Sequence, residues 1–294
     1  MTRPVKWQTS KSGERRNISI MPWHPVCTVG DMSLLTRNFT LFTILLISGA
    51  PAYSQFPPLS PPLSDQLVGR IALYPDPLLA QVLTASTFWN EIPDAAAWAD
   101  QHSYLKGDAL AEAIKEDNLQ WDPSVLALLP FPSVLDTMAH DMVWTEQLGN
   151  AVLTQRADVM DAVQRMRHKA ESYGYLQSNG YLNVHNDGDY VEILPVNPGL
   201  YYVPVYDPLV VFAPPPPGFF IGGAIHFGPA ITIGAAFAPW GWAHPGFAWR
   251  SHDLIIDRAP WGRVWANRAT YIPHYDHPWV RAAGPRVERH AFRR

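Results

Sequence analysis

Tyr74-Pro75-Asp76-Pro77-Leu78-Leu79-Ala80-Gln81-Val82-Leu83 decides how this chain is read, because a weaker copy follows at Asp122-Pro123-Ser124-Val125-Leu126-Ala127-Leu128-Leu129. The offset is 46 residues, and it also lays Trp98 on Trp144, Gln101 on Gln147 and Leu83 on Leu129. Self-similarity at a fixed period signals stacked helical repeats. Residues 64–174 are therefore expected to form a duplicated all-helical domain.

Each Asp-Pro pair has a local reason to begin a helix. Aspartate accepts bonds from the orphan N–H groups of a first turn, and a proline there loses no bond it would have made. Asp76 and Asp122 are thus expected as structural caps. The competing reading, a paired-carboxylate acid/base site, needs an assumption that capping does not. Leu78, Leu79, Val82 and Leu83 fall on one helical face, as do Val125, Leu128 and Leu129. Trp98 and Trp144 are expected as equivalent core anchors, since a buried tryptophan removes a large apolar area from water; an aromatic ligand platform is the alternative.

Working outward, Ser64 is placed to cap a helix through Leu67, Val68, Ile71 and Ala72 that Tyr74-Pro75 stops. Further helices are predicted at about 77–87, 93–103 and 107–117. Pro130 and Pro132 divide the second unit into short pieces. Its last helix carries Val159, Ala162, Val163 and Met166 on one side, with Arg165, Arg167, His168 and Lys169 near its end, where the helix dipole favours cations.

From Tyr181 the apolar period changes to two. Strands at 181–185 and 190–194 flank Asn186-Asp187-Gly188-Asp189, a hairpin signal. A calcium loop there would lack the full set of ligands. Residues 200–206 and 209–212 read as two further strands. Prolines fill 214–217, and the apolar, glycine-rich stretch 219–242 follows. A membrane span is one reading of it, but His226, Pro229 and Pro239 favour short strands or a packed loop. The fold class is α+β: the duplicated helical bundle, a small antiparallel β module at 175–213, and an irregular Gly/Trp/Arg-rich tail at 214–294.

The first residues speak to destination. An apolar run at 39–47, preceded by Arg37 and followed by Ala52-Tyr53-Ser54, has the layout of a secretory signal at 32–54 cleaved before Gln55. It is too short to span a bilayer as a dedicated helix. Met32 is where such a signal begins, which makes 1–31 a disordered extension or a start-site artefact. Residues 55–63 read as a proline-rich linker. The single cysteine, Cys27, allows no disulfide framework and no Cys-based zinc site. Charge is unevenly spread: residues 55–249 hold 7 basic and 20 acidic groups, whereas 250–294 hold 9 arginines and 4 acids. An arginine tail on an acidic body either meets an anionic surface or folds back on that body.

Chemistry is sparsely signalled. His274-Tyr275-Asp276-His277 is the best metal candidate, with His274, Asp276 and His277 as ligands; a solvated His/Arg/Trp tail is the plainer reading. Gly-x-Ser-x-Gly, a phosphate loop and His-Glu-x-x-His do not occur in the sequence. No catalytic residue and no cofactor is expected.

The runs Ile71-Ala72-Leu73-Tyr74-Pro75-Asp76-Pro77-Leu78-Leu79-Ala80-Gln81-Val82-Leu83, Trp121-Asp122-Pro123-Ser124-Val125 and Ala157-Asp158-Val159-Met160-Asp161-Ala162-Val163-Gln164-Arg165-Met166-Arg167 closely resemble the bacterial family of domain of unknown function 3300. Tyr201-Tyr202-Val203-Pro204-Val205-Tyr206-Asp207-Pro208 is similar to a further stretch of it. The resemblance covers about residues 64–213 and fades in the tail. It implies an exported bacterial envelope protein without an assigned activity, so no catalytic residues carry over.

The expectation is a non-enzymatic binding or scaffolding module, periplasmic or associated with the outer envelope. Its partner would be an envelope polymer, a lipid surface or another envelope protein, met through the Arg/Trp tail; nucleic acid is not expected. The alternatives are an envelope-polymer hydrolase using Asp76, Asp122 or Asp207 between modules, and membrane association through residues 219–242.

Overall fold

Helix α2 (Asp76–Ser86) is the axis of the molecule: every one of its residues except Pro77 is buried. A helix buried on every side must be surrounded, not laid on a surface, and α2 packs against α5 (Pro123–Leu126), α7 (Met142–Thr154) and strands far along the chain. Residues 58–218 and 221–271 are described by the computed structural model. Around α2 lie α1 (Pro61–Val68), α3 (Ile92–Gln101), α4 (Gly107–Glu116), α6 (Pro132–His140) and α8 (Arg156–Ser172). Proline stands in the first turn of α1, α2, α3, α5 and α6, where its missing N–H costs nothing.

Helices α2 and α7 cross at very short range. A Cβ added to Gly149 would lie 2.1 Å from the Ser86 carbonyl oxygen, so only glycine lets the two backbones approach this closely. The glycine is a mid-helix residue of α7, where it is otherwise unfavourable.

The helical part reproduces the 46-residue repeat only in part: α1 shifted by it falls at 107–114, within α4, but the following helices do not correspond. Shifted by that offset, α2 falls on α5 and the proline break after it, and α3 falls across the junction of α6 and α7 at Asp141. Ser64 is also not a cap: it lies within α1, buried, and its hydroxyl donates to the Pro61 carbonyl. Short-range likeness determined where some helices begin, while packing around a single buried axis decided how long each could run.

The strands follow as antiparallel pairs, giving the α+β class. β1 (Leu182–Asn186) and β2 (Val191–Pro195) form the expected hairpin, with Leu182 opposite Pro195 and Asn186 opposite Val191. Gly188 takes φ 95° in its turn, the positive φ that a tight hairpin turn requires. β3 (Leu200–Tyr201) pairs with β6 (Ile231–Thr232), and β4 (Pro204–Tyr206) with β5 (Ile225–Phe227), so one interrupted ribbon joins the two stretches. The strand expected at 209–212 is a single helical turn, α9 (Pro208–Val211), because Asp207 caps it through the Leu209 N–H. β7 (Gly246–Ala248), β8 (Asp253–Ile256) and β9 (Ala259–Pro260) make a three-stranded sheet.

The described part of the tail, short strands and 3-10 turns joined by irregular segments, is docked. Trp240 and Trp249 are buried, and Phe237, Trp240, Trp249 and Leu254 belong to the same hydrophobic core as α2. Gln81, fully buried in α2, donates to the Gly241 carbonyl at 2.8 Å, and the Trp242 indole donates to the Ala127 carbonyl at 2.9 Å. The described residues accordingly form one compact unit. Among the described residues no helix is long and apolar enough to cross a membrane. The described residues of 219–242 instead form β5, β6 and a 3-10 turn, Ala235–Trp240, against α4 and α5.

Candidate functional site

The sequence-derived site residues occupy unlike places. Asp76 does not cap α2: Pro75 holds the N-cap position, and no side-chain capping bond is made. Its carboxylate turns inward to Arg167, whose guanidinium donates to Asp76 Oδ1 at 2.6 Å and to the carbonyls of Ala72, Tyr74 and Val191 at 2.8–3.0 Å. The Trp249 indole donates to Asp76 Oδ2 at 3.0 Å, and the Arg167 guanidinium lies over the Trp249 ring at 5.1 Å. Burial pushes the Asp76 carboxyl above the ordinary aspartate value, against the pull of Arg167, Trp249 and the Ile193 N–H. Arg167, expected near the end of α8 where the helix dipole favours a cation, is fully buried. A charge is tolerated at such depth only when paired and hydrogen-bonded, and this pair ties α2, α8, β2 and the C-terminal segment together.

Asp122 stands at the N-cap of α5, accepting from the Ser124 N–H at 3.0 Å and the Ser124 hydroxyl at 2.7 Å. Its other oxygen accepts from Arg263 at 2.6 Å. The Arg263 guanidinium lies over the rings of Phe88 and Tyr271 at 4.8 and 5.0 Å. Glu91, which the sequence reading did not single out, accepts the Asp122 N–H at 2.7 Å. Burial, reinforced by the Asp122 charge, pushes the Glu91 carboxyl up to about 7, although the Asp122 N–H and the Arg263 charge pull against it. Nothing in local sequence marks this position; its environment is assembled by residues 31 and more positions away.

The two tryptophans are not equivalent anchors. Trp144 is buried and donates to the Leu67 carbonyl at 2.8 Å, with Arg70 over its ring. Trp98 sits at the edge of the core, stacks on His102 at 4.0 Å and donates to Asp117 at 2.7 Å. His274, Asp276 and His277 lie outside the described residues. Among the described residues, no group of three His, Cys, Asp or Glu side chains is arranged to hold a metal.

The arrangement best suited to meeting another molecule was not foreseen. A cleft of about 420 Å³ opens between the segment 174–182 and β5, lined among others by Tyr175, Gln177, Asn179, Tyr181 and Phe227. Tyr181 is exposed, its ring 4.7 Å from Tyr202 and 4.5 Å from Phe227. Among the described residues, no acidic or basic side chain lines this cleft. Asn179 is held rigid by its carbonyl oxygen, which accepts the N–H groups of Tyr181 and Leu182 at 2.8 and 3.0 Å. The result is a fixed aromatic ledge beside amide and hydroxyl groups. Such a surface offers flat apolar faces and neutral hydrogen-bonding groups together.

Comparison with known proteins returns the same family that the motifs suggested. The chain is 32% identical over 203 residues to the uncharacterized protein YacH of Escherichia coli (strain K12), covering 55% of this chain and 33% of that protein. The chain thus spans about a third of that relative's length. No solved structure matches it. The family model described as "Protein of unknown function (DUF3300)" matches residues 62–279, well over half of the chain, and the protein belongs to that bacterial family.

Proposed function

We propose that this protein is a non-enzymatic binding module of the bacterial cell envelope, exported under the signal-like segment 32–54, and that it recognises a hydroxyl-rich envelope polymer. The observation that carries the reading is the uncharged cleft at Tyr181, where aromatic rings stand beside Gln177, Ser178 and Asn179. Sugar rings present apolar faces edged by hydroxyl groups, and that pattern complements a neutral aromatic ledge better than it complements a charged patch. The arginine tail, in its described part, has partners on its own body: Arg250 meets Asp187 and Asp189, and Arg263 meets Asp122. The cleft is therefore added as a recognition surface; Arg281, Arg286, Arg289, Arg293 and Arg294 lie outside the described residues.

The hydrolytic alternative loses support from the same geometry. Asp76, Asp122 and Asp207 each hold a separate set of partners. Cosedimentation of the purified protein with isolated peptidoglycan sacculi is the direct test. Retention that falls at least fivefold in Tyr181→Ala supports the reading, and retention unaltered by that change, or absent in the parent protein, overturns it.

A further inference from the structure

A second pocket, of about 270 Å³, lies on other elements and has a different chemistry. Its walls include Leu105, Leu110, Leu129, Pro130 and Ile231, drawn from the α3–α4 connection, α4, the break after α5, and β6. Lys106 reaches the same lining, whereas among the described residues no carboxylate does. Lys106 is exposed and has no ion-pair partner among the described residues. His102, the other nitrogen-bearing basic side chain in the lining, is already engaged, with Nδ1 2.9 Å from the Trp98 carbonyl and Nε2 3.9 Å from Asp117. Lys106 also stands at the N-cap of α4 without capping it by its side chain, so the positive end of that helix adds to its own charge. Asp108, in the same turn, is outside the lining.

We propose that this pocket binds a small amphipathic monocarboxylate, its apolar body between Leu105, Leu110, Leu129 and Ile231 and its carboxylate at Lys106. Size sets the length of the ligand. A dry cavity of about 150 Å³ accepts a six-carbon ring, so about 270 Å³ accommodates roughly ten non-hydrogen atoms. A medium-chain fatty acid anion fits that description. A long diacyl lipid does not, and a hydroxyl-rich sugar carries more hydrogen-bonding groups than Ser103, Ser133 and Thr232 can pair among the leucines and prolines.

Calorimetric titration of the full protein with sodium octanoate, 1-octanol and octylamine separates the contributions, since the three share one apolar chain and differ in charge. Octanoate should bind about fivefold more tightly than 1-octanol, the increment of an exposed ion contact, and octylamine should bind most weakly. Lys106→Glu, a surface change whose folding is checked by its melting curve, should exchange the order of octanoate and octylamine. Thr232→Trp, at the exposed rim, should weaken all three. Equal affinities for octanoate and octanol, an unchanged order in Lys106→Glu, or no heat of binding for octanoate would each overturn the proposal. The peptidoglycan result at Tyr181 stands or falls separately, because the two clefts share no lining residue.

Discussion

Asp76-Pro77 and Asp122-Pro123 are the same dipeptide before the same kind of apolar run, yet they do opposite things. At 122 the side chain bonds the backbone two residues on, and its other oxygen meets Arg263, which is partly exposed. At 76 the helix behind it is buried on all sides, and the carboxylate faces a guanidinium with no exposure to water. An N-cap bond contributes about 1 kcal/mol. Leaving a buried arginine unpaired costs several times more. Pairing therefore prevails over capping at 76, and a local signal that was sufficient at one site is overridden at the other.

The strongest attempt to break this contrast removes one member of the buried pair. Arg167→Ala or Asp76→Ala should each lower stability by about 3–5 kcal/mol in urea unfolding. Replacing both together by apolar residues of similar volume should cost less than the two single changes combined. A loss near 1 kcal/mol for Asp76→Ala, about the value of a helix cap, would mean it acts as a cap after all.

The rigidity of α2 can be probed where α7 touches it. Gly149→Ala would stabilise an open helix, but here the added methyl group meets the Ser86 carbonyl, and a loss of about 2 kcal/mol or more is expected. A neutral outcome would show that the axis can shift.

Asp122→Ala sharpens the other side. It removes a cap and a partly exposed ion pair, for a loss of about 1–2 kcal/mol. Arg263 would also be released from its place over Phe88, so exchange of backbone hydrogens around residue 263 should quicken more than around Trp249.

The smallest effect is a dependence on pH at Glu91. Its folded value of about 7 lies above the ordinary 4.5, so the folded state holds the proton more tightly. The stabilisation is complete below about pH 4.5 and is lost as pH rises through about 7. Because the group is partly exposed, the change should be about 1 kcal/mol. Melting temperatures across that interval should decline in the parent protein and stay flatter in Glu91→Gln; parallel curves would place the titrating group elsewhere.

The peptide Leu-Asn-Val-His-Asn with its Asp-Gly turn, the starts of α2, α4 and α5, and the apolar side of α8 were all legible in the amino-acid order. Each depends on neighbours within a few residues, through capping, turn chemistry or periodicity. The α+β class and the family were legible for the same reason. What required the folded molecule was everything that joins distant positions: Arg167 reaching Asp76 across 91 residues, Trp249 reaching it across 173, Glu91 gathered beside Asp122, and the two clefts. Burial and pairing are properties of depth, and depth is set only when the helices close around α2. The apparent repeat broke down where depth was alike but partners differed: Asp76 meets the fully buried Arg167 and Asp122 the partly exposed Arg263, so two similar strings became different structures.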